Sequence, residues 1–248
     1  MIVMYTKNCF PIIVVGLLLL SCEKDNDTRK DAINVGYYND MVINYYDTTL
    51  IGGYHSPQNF NLDLDNNGSE DLQFESEIWG SPGLGQNPKS TIKCLNGNIK
   101  LNGDFTSDTL FLHRDTVIYE EVNNTYVKYL RFFYTCHRMN DTDSIYRITT
   151  KFKVKSLDRD DILRKADMYN SDTVTLIDDA YSYPPQGITS IGDTNIYEYR
   201  IFNNDCNTFP LDRIKYIGLL LDNERLGWIK ISIFDKYKIM IHESGVQR

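Results

Sequence analysis

The densest run of potential metal ligands in this 248-residue chain is Asp63-Leu64-Asp65-Asn66-Asn67-Gly68-Ser69-Glu70-Asp71. Oxygen-bearing residues recur at every second position, and a glycine sits where a loop wrapped around an ion must turn sharply. Hard divalent cations take oxygen ligands of this kind. The expected calcium ligands are the side-chain oxygens of Asp63, Asp65, Asn67 and Asp71, with the backbone carbonyl of Ser69. A hairpin tip accounts for the same run, because Asn-Gly is a strong turn signal. A loop over residues 66–68, with Gly68 left-handed, pairs Leu62 with Leu72 and Phe60 with Phe74 in one apolar register. It also sets Asp63 opposite Asp71 with Asp65 on the same face. Like charges so placed destabilise a sheet, so a cation would relieve either arrangement.

Covalent and acid–base chemistry finds less support. Cys136-His137 puts a thiol beside an imidazole, but adjacent residues on a strand point to opposite faces, so no dyad forms there. The four histidines, His55, His113, His137 and His242, are too scattered for a metal cluster. There is no G-x-S-x-G elbow, no H-E-x-x-H and no glycine-rich phosphate loop. With 34 acidic residues, some pair meets the spacing of a glycosidase by chance. No catalytic residue is assigned.

The N-terminus carries an address. Lys7 precedes the apolar run 12–20 (IIVVGLLLL), which is too short to span a bilayer, since that takes about 20 apolar residues. Leu19-Leu20-Ser21-Cys22 then resembles the lipobox of bacterial lipoproteins. The resemblance implies a signal peptide over 1–21, a lipidated Cys22 and a stable membrane anchor, because acylation there supplies more than two lipid signals. Glu23-Lys24-Asp25-Asn26-Asp27 resembles the acidic export signal of surface lipoproteins in the Bacteroidota, which implies outer membrane and cell surface. Residues 22–32 are charged and read as a flexible tether, with a single domain over 33–248. With Cys9 in the signal and Cys22 at the anchor, Cys94, Cys136 and Cys206 remain. An odd count allows at most one intramolecular bridge. Cys136 on the inner face of a strand reads as a buried hydrophobe, which leaves Cys94–Cys206 or no bridge.

The elements that must position these groups read as strands. A hydrophobic content of 42% and a net charge of −8 describe a globular body and exclude a general nucleic-acid binder, which needs a basic surface. Tyr146, Ile148, Thr150, Phe152 and Val154 alternate with Arg147, Thr149, Lys151, Lys153 and Lys155, giving one apolar and one basic strand face. Ile229, Ile231 and Ile233, then Tyr237, Ile239 and Ile241, flank a turn at Asp235-Lys236 as a hairpin. Residues 126–136 are apolar on both faces, as a central strand covered on both sides would be. Shorter strands fit 72–78, 91–95, 109–113, 116–120, 173–177, 196–202 and 215–221. One helix is expected over 158–168, and Pro/Gly-rich loops over 81–89 and 182–187. The fold expected is an all-β antiparallel sandwich with at most one or two short helices.

At the C-terminus, Tyr216-Ile217-Gly218-Leu219 and Gly227-Trp228-Ile229 resemble the closing strand pair of a broad set of secreted bacterial β proteins. That resemblance implies architecture only, with Gly227 admitting a neighbouring chain and Trp228 covering the sheet. Two functions are compatible with these readings. One is a non-enzymatic envelope module at the outer membrane, holding a glycan or a surface protein. The other is a hydrolase of extracellular polymer. A cleft lined by several carboxylates favours the enzyme, and a flat aromatic platform favours glycan binding.

Overall fold

The computed structural model describes residues 31–81, 85–121, 125–178, 181–192, 194–202 and 209–248. The signal segment, Cys22 and all but the last two residues of the expected tether lie outside them. The strands in chain order are β1 (Ala32–Asn34), β2 (Met41–Ile51), β3 (Gln58–Leu62), β4 (Leu72–Ser81), β5 (Gly85–Cys94), β6 (Ile99–Glu121), β7 (Thr125–Thr135) and β8 (Ser144–Val154). They continue with β9 (Ile162–Arg164), β10 (Tyr169–Asn170), β11 (Val174–Asp178), β12 (Tyr181–Ile191), β13 (Thr194–Phe202), β14 (Ile214–Leu221), β15 (Arg225–Phe234) and β16 (Lys238–Gln247). No helix occurs among the described residues.

A main sheet runs β12-β13-β7-β6-β14-β15-β16-β2, with β8 and β10 added along β6. A four-stranded sheet, β11-β5-β4-β3, faces part of it across the principal core. That core joins Leu62, Leu72, Phe74, Ile92 and Ile177 of the small sheet to Ile217, Leu219, Ile229, Ile231, Ile239 and Ile241 of the main one. The pairing β1–β9 and the segment around Leu157 cover the opposite face of β14 and β15, burying Trp228, Tyr216, Leu220, Leu226 and Leu163. The small residues around Trp228 are a packing requirement. A Cβ at Gly245 would sit 2.7 Å from the indole, and one at Gly227 would meet the Gly245 carbonyl at 2.8 Å. Asp31–Arg248 form one compact unit.

Several expectations are corrected. Residues 158–168 form turns around β9 rather than a helix, because their carboxylates bind the backbone locally: Asp161 accepts from the Asp158 N–H and Asp167 from the Arg164 N–H, both at 2.8 Å. Such side-chain bonds compete with helical ones, and of the expected apolar stripe only Leu163 is buried. The strands expected at 109–113 and 116–120 are parts of one 23-residue strand, β6. The proline-rich stretch 182–187 lies within β12, at the end of the main sheet, where a missing N–H costs no ladder bond. The 81–89 stretch is mostly strand, and Pro88 lies just past the last β11 pairing, Asp178 with Lys89. β13 runs parallel to β7, an exception in an otherwise antiparallel ladder.

Residues 126–136 form the central strand β7 but are not covered on both sides. Val127 and Tyr134 are buried, Tyr126 is 41% exposed, and residues 128–133 are half-buried. β14 and β15, by contrast, are buried on both faces. The expected apolar face of β8 is also open at its start, with Tyr146 and Ile148 exposed, and only Phe152 and Val154 reach the core.

Candidate functional site

The carboxylate loop forms on the register expected from its flanks. Leu62 pairs with Leu72 and Phe60 with Phe74, so the apolar side chains enter the core and the loop between them holds the acids. Asp63, Asp65 and Asp71 each present an oxygen within 4.8 Å of the others. Asp63 accepts from the N–H groups of Asn67 at 3.1 Å and Gly68 at 2.7 Å. Asp71 accepts from the Leu64 N–H and the Asn96 amide, both at 2.9 Å. Arg225 donates to Asp65 Oδ2 at 2.6 Å and also to Asp222. Asp65 Oδ1 is buried with no partner among the described residues. Asn67 accepts from the Ser69 N–H through its side-chain oxygen at 2.8 Å. Burial pushes the Asp71 carboxyl above its ordinary value, against the hydrogen bonds from Leu64 and Asn96 and with help from its acidic neighbours. One shared guanidinium does not balance three carboxylates. The oxygen donors, one of them a buried acceptor without a partner among the described residues, are of the kind that hard divalent cations take.

The thiols depart from expectation. Cys94 is a free thiol, packed against the core, and burial pushes it up to about 12. Cys136 is disulfide-bonded. The Cys94–Cys206 pairing is therefore overturned: Cys94 is a half-buried free thiol, and Cys136, expected as the buried hydrophobe, is the bonded one. Cys206 lies outside the described residues. A bonded Cys136 also removes the thiol from any Cys136-His137 chemistry.

His113 meets Asp143 at 2.8 Å, and Asp143 also accepts from the N–H groups of Met139 and Asn140. Burial alone would raise the Asp143 carboxyl, but the bonds from His113, Asn140 and Met139 hold it below the usual range. Every contact of this carboxylate ties down the turn after β7, so the cluster reads as a structural clamp. On the basic face of β8, Lys153 is tied to Asp108 at 2.5 Å, while Arg147 and Lys151 are exposed.

A feature that the sequence reading passed over lies on the half of the main sheet made by β6, β7 and β13. Alternation sends Tyr129, Arg131 and Phe133 to one face of β7. The parallel register places Tyr197, Tyr199 and Ile201 beside them, and the antiparallel register places Val117, Asp115 and His113 on the other side. Tyr129 stacks on Tyr197 with centroids 5.5 Å apart and planes at 26°, and Tyr199 lies 5.6 Å from Tyr129. The Arg131 guanidinium lies 5.8 Å from the Phe133 ring and pairs with Asp115. Val117, Tyr129, Arg131, Tyr199 and Ile201 line a cavity of about 360 Å³. The reverse face is anchored by Leu110, Leu112 and Tyr134, with Phe132, Cys136 and Phe202 against them; Tyr134 and Phe202 stack at 4.2 Å. The packing cluster thus sits at the Tyr134 end of the reverse face, while along 128–133 both faces of β7 stay half-buried. The sequence signal was the apolar character of both faces of 126–136, together with the alternating tyrosines at 197 and 199. What it could not supply was the parallel pairing that joins them.

No protein-family model, curated protein or solved structure matches the chain.

Proposed function

We propose that this chain is a lipid-anchored envelope protein, held at the outer membrane through Cys22, that works as a non-enzymatic binding module for a carbohydrate polymer. The contact surface is the tyrosine face of β7 and β13. The observation that carries the reading is the cluster of Tyr129, Tyr197 and Tyr199 beside Arg131, around a cavity of about 360 Å³. Tyrosine offers a flat apolar ring and a polar rim, which suits a sugar ring with apolar C–H faces and hydroxyls at its edge. The volume sits at the small end of the range for small-molecule sites, roughly 300–1,000 Å³. A half-exposed sheet face suits a chain that passes across it better than a substrate that must be enclosed. Calcium held by Asp63, Asp65 and Asp71 has a structural place in this proposal: it fixes the loop that closes β3 onto β4, at a distance in sequence from the tyrosines.

The test is affinity gel electrophoresis of the full chain through a panel of embedded polysaccharides, wild type against Tyr129→Ala. Retardation by at least one polymer, lost in the variant, supports the reading. Retention that is indifferent to Tyr129→Ala overturns it.

A further inference from the structure

The proposed platform has a charge signature that narrows its ligand. Asp115 and Arg131 lie directly across from one another on β6 and β7, on the same face as the tyrosines. Their ion pair is half-open to solvent, with side-chain exposures of 37% and 39%. It uses one nitrogen of the guanidinium and one carboxylate oxygen. Guanidinium carries five N–H donors and a carboxylate accepts at two oxygens, so donors and an acceptor remain side by side at the edge of the rings. The pair is held in place: Arg131 rests over Phe133 and is fixed by Asp115, so little freedom is lost when a ligand arrives.

We infer that the site reads a neutral pyranose, with Tyr129 and Tyr199 against its apolar face and the Asp115–Arg131 pair bonding two neighbouring hydroxyls. One hydroxyl donates to the Asp115 carboxylate, and the next accepts from the Arg131 guanidinium. A vicinal diol presents a donor and an acceptor at the spacing that an ion pair can meet, and it carries no charge. An acidic polymer suits this site poorly. Its carboxylate would have to displace Asp115 from Arg131 or lie against Asp115, and the protein as a whole carries a net charge of −8. The inference rests on the tyrosine platform of the preceding section and goes beyond it by naming the ligand class and the two groups that select it.

The experiment uses the full chain in affinity electrophoresis against xylan, dextran and galactan as neutral probes and polygalacturonate as the acidic probe, at low and high salt. The variants are Asp115→Asn, Arg131→Lys and Tyr199→Ala, each checked for an unchanged unfolding midpoint. The expected result is retardation by at least one neutral polymer that persists at high salt. It should weaken about tenfold or more in Asp115→Asn and in Arg131→Lys, because each removes a charge-assisted bond or its fixed fork geometry. Preferential binding of polygalacturonate, lost at high salt and strengthened in Asp115→Asn, overturns the neutral-sugar inference while the platform stands. Neutral binding that falls in Tyr199→Ala but is unchanged in both polar variants overturns the role of the pair alone. Retention untouched by Tyr199→Ala, or no retention on any probe, overturns the platform and the inference with it.

Discussion

Two stretches of this chain carry nearly the same sequence signature and meet opposite fates. β14 and β15 are apolar on both faces and are buried on both, between the principal core and the cover supplied by β1, β9 and Leu157. β7 is as apolar, is hydrogen-bonded on both sides, and stays only half-buried along 128–133. The difference is in what the chain brings to cover them. Leucine, isoleucine and a single tryptophan fill the closed half. Tyrosines, an arginine and an aspartate line the open face of β7 and its neighbours, and these residues pack and remain wet at once. The closed half stabilises the fold, and the open half presents a surface.

The sharpest way to break that comparison is Trp228→Ala. The indole is fully buried, edge-on to Tyr38 and Tyr216. Its loss should cost about 3–5 kcal/mol in urea unfolding. A cost below about 1 kcal/mol would mean that the closed half is not the stabilising one.

Calcium should come next. If Asp63, Asp65 and Asp71 hold the ion with a dissociation constant of about 10 μM, then about 1 mM free calcium stabilises the fold by roughly 2.7 kcal/mol. Thermal unfolding against chelator reads this directly. Asp63→Ala combined with Asp65→Ala should abolish the shift, and an equal shift in that variant would move the ion elsewhere.

A smaller effect carries a sign that distinguishes loop from ion. Asp71 in the folded chain holds its proton more tightly than in the unfolded chain. Without metal, its contribution makes the fold gain stability as pH falls through the window just above the ordinary carboxylate value, and lose it as pH rises. Asp71→Asn should flatten that trend. With calcium bound the trend should reverse, because protons then compete with the ion. The measurement is the difference between wild type and Asp71→Asn in chelator and in calcium, from pH 4 to 7 (roughly the span over which carboxylates titrate). The same sign in both conditions would argue that no ion binds these residues.

How far the sequence carried the structure depended on how local the determining interactions were. The Leu62–Leu72 register and the turn at Asp235-Lys236 were legible because short-range alternation and turn chemistry specify them; Asp235 and Lys236 both take positive φ, 51° and 61°. The carboxylate cluster was legible for the same reason. The helix expected at 158–168 failed because aspartates that suit a helix N-terminus suit isolated turns equally well. The bridge at Cys136 was hidden, since thiol pairing follows distances that spacing does not reveal. The tyrosine platform was the largest omission. Tyr129 and Tyr197 are far apart in sequence and meet only through a parallel pairing that no local pattern announces. The open face of β7 was read as buried because an apolar strand looks the same whether or not anything covers it.

If the tyrosine face binds while contributing little to the fold, Tyr199→Ala separates the two with two readings on one sample. Unfolding midpoint and polysaccharide retention are measured together on the full chain. The expected result is lost retention with the midpoint shifted by less than the effect of Trp228→Ala. Retained binding, or a collapse in stability equal to that of Trp228→Ala, would contradict it.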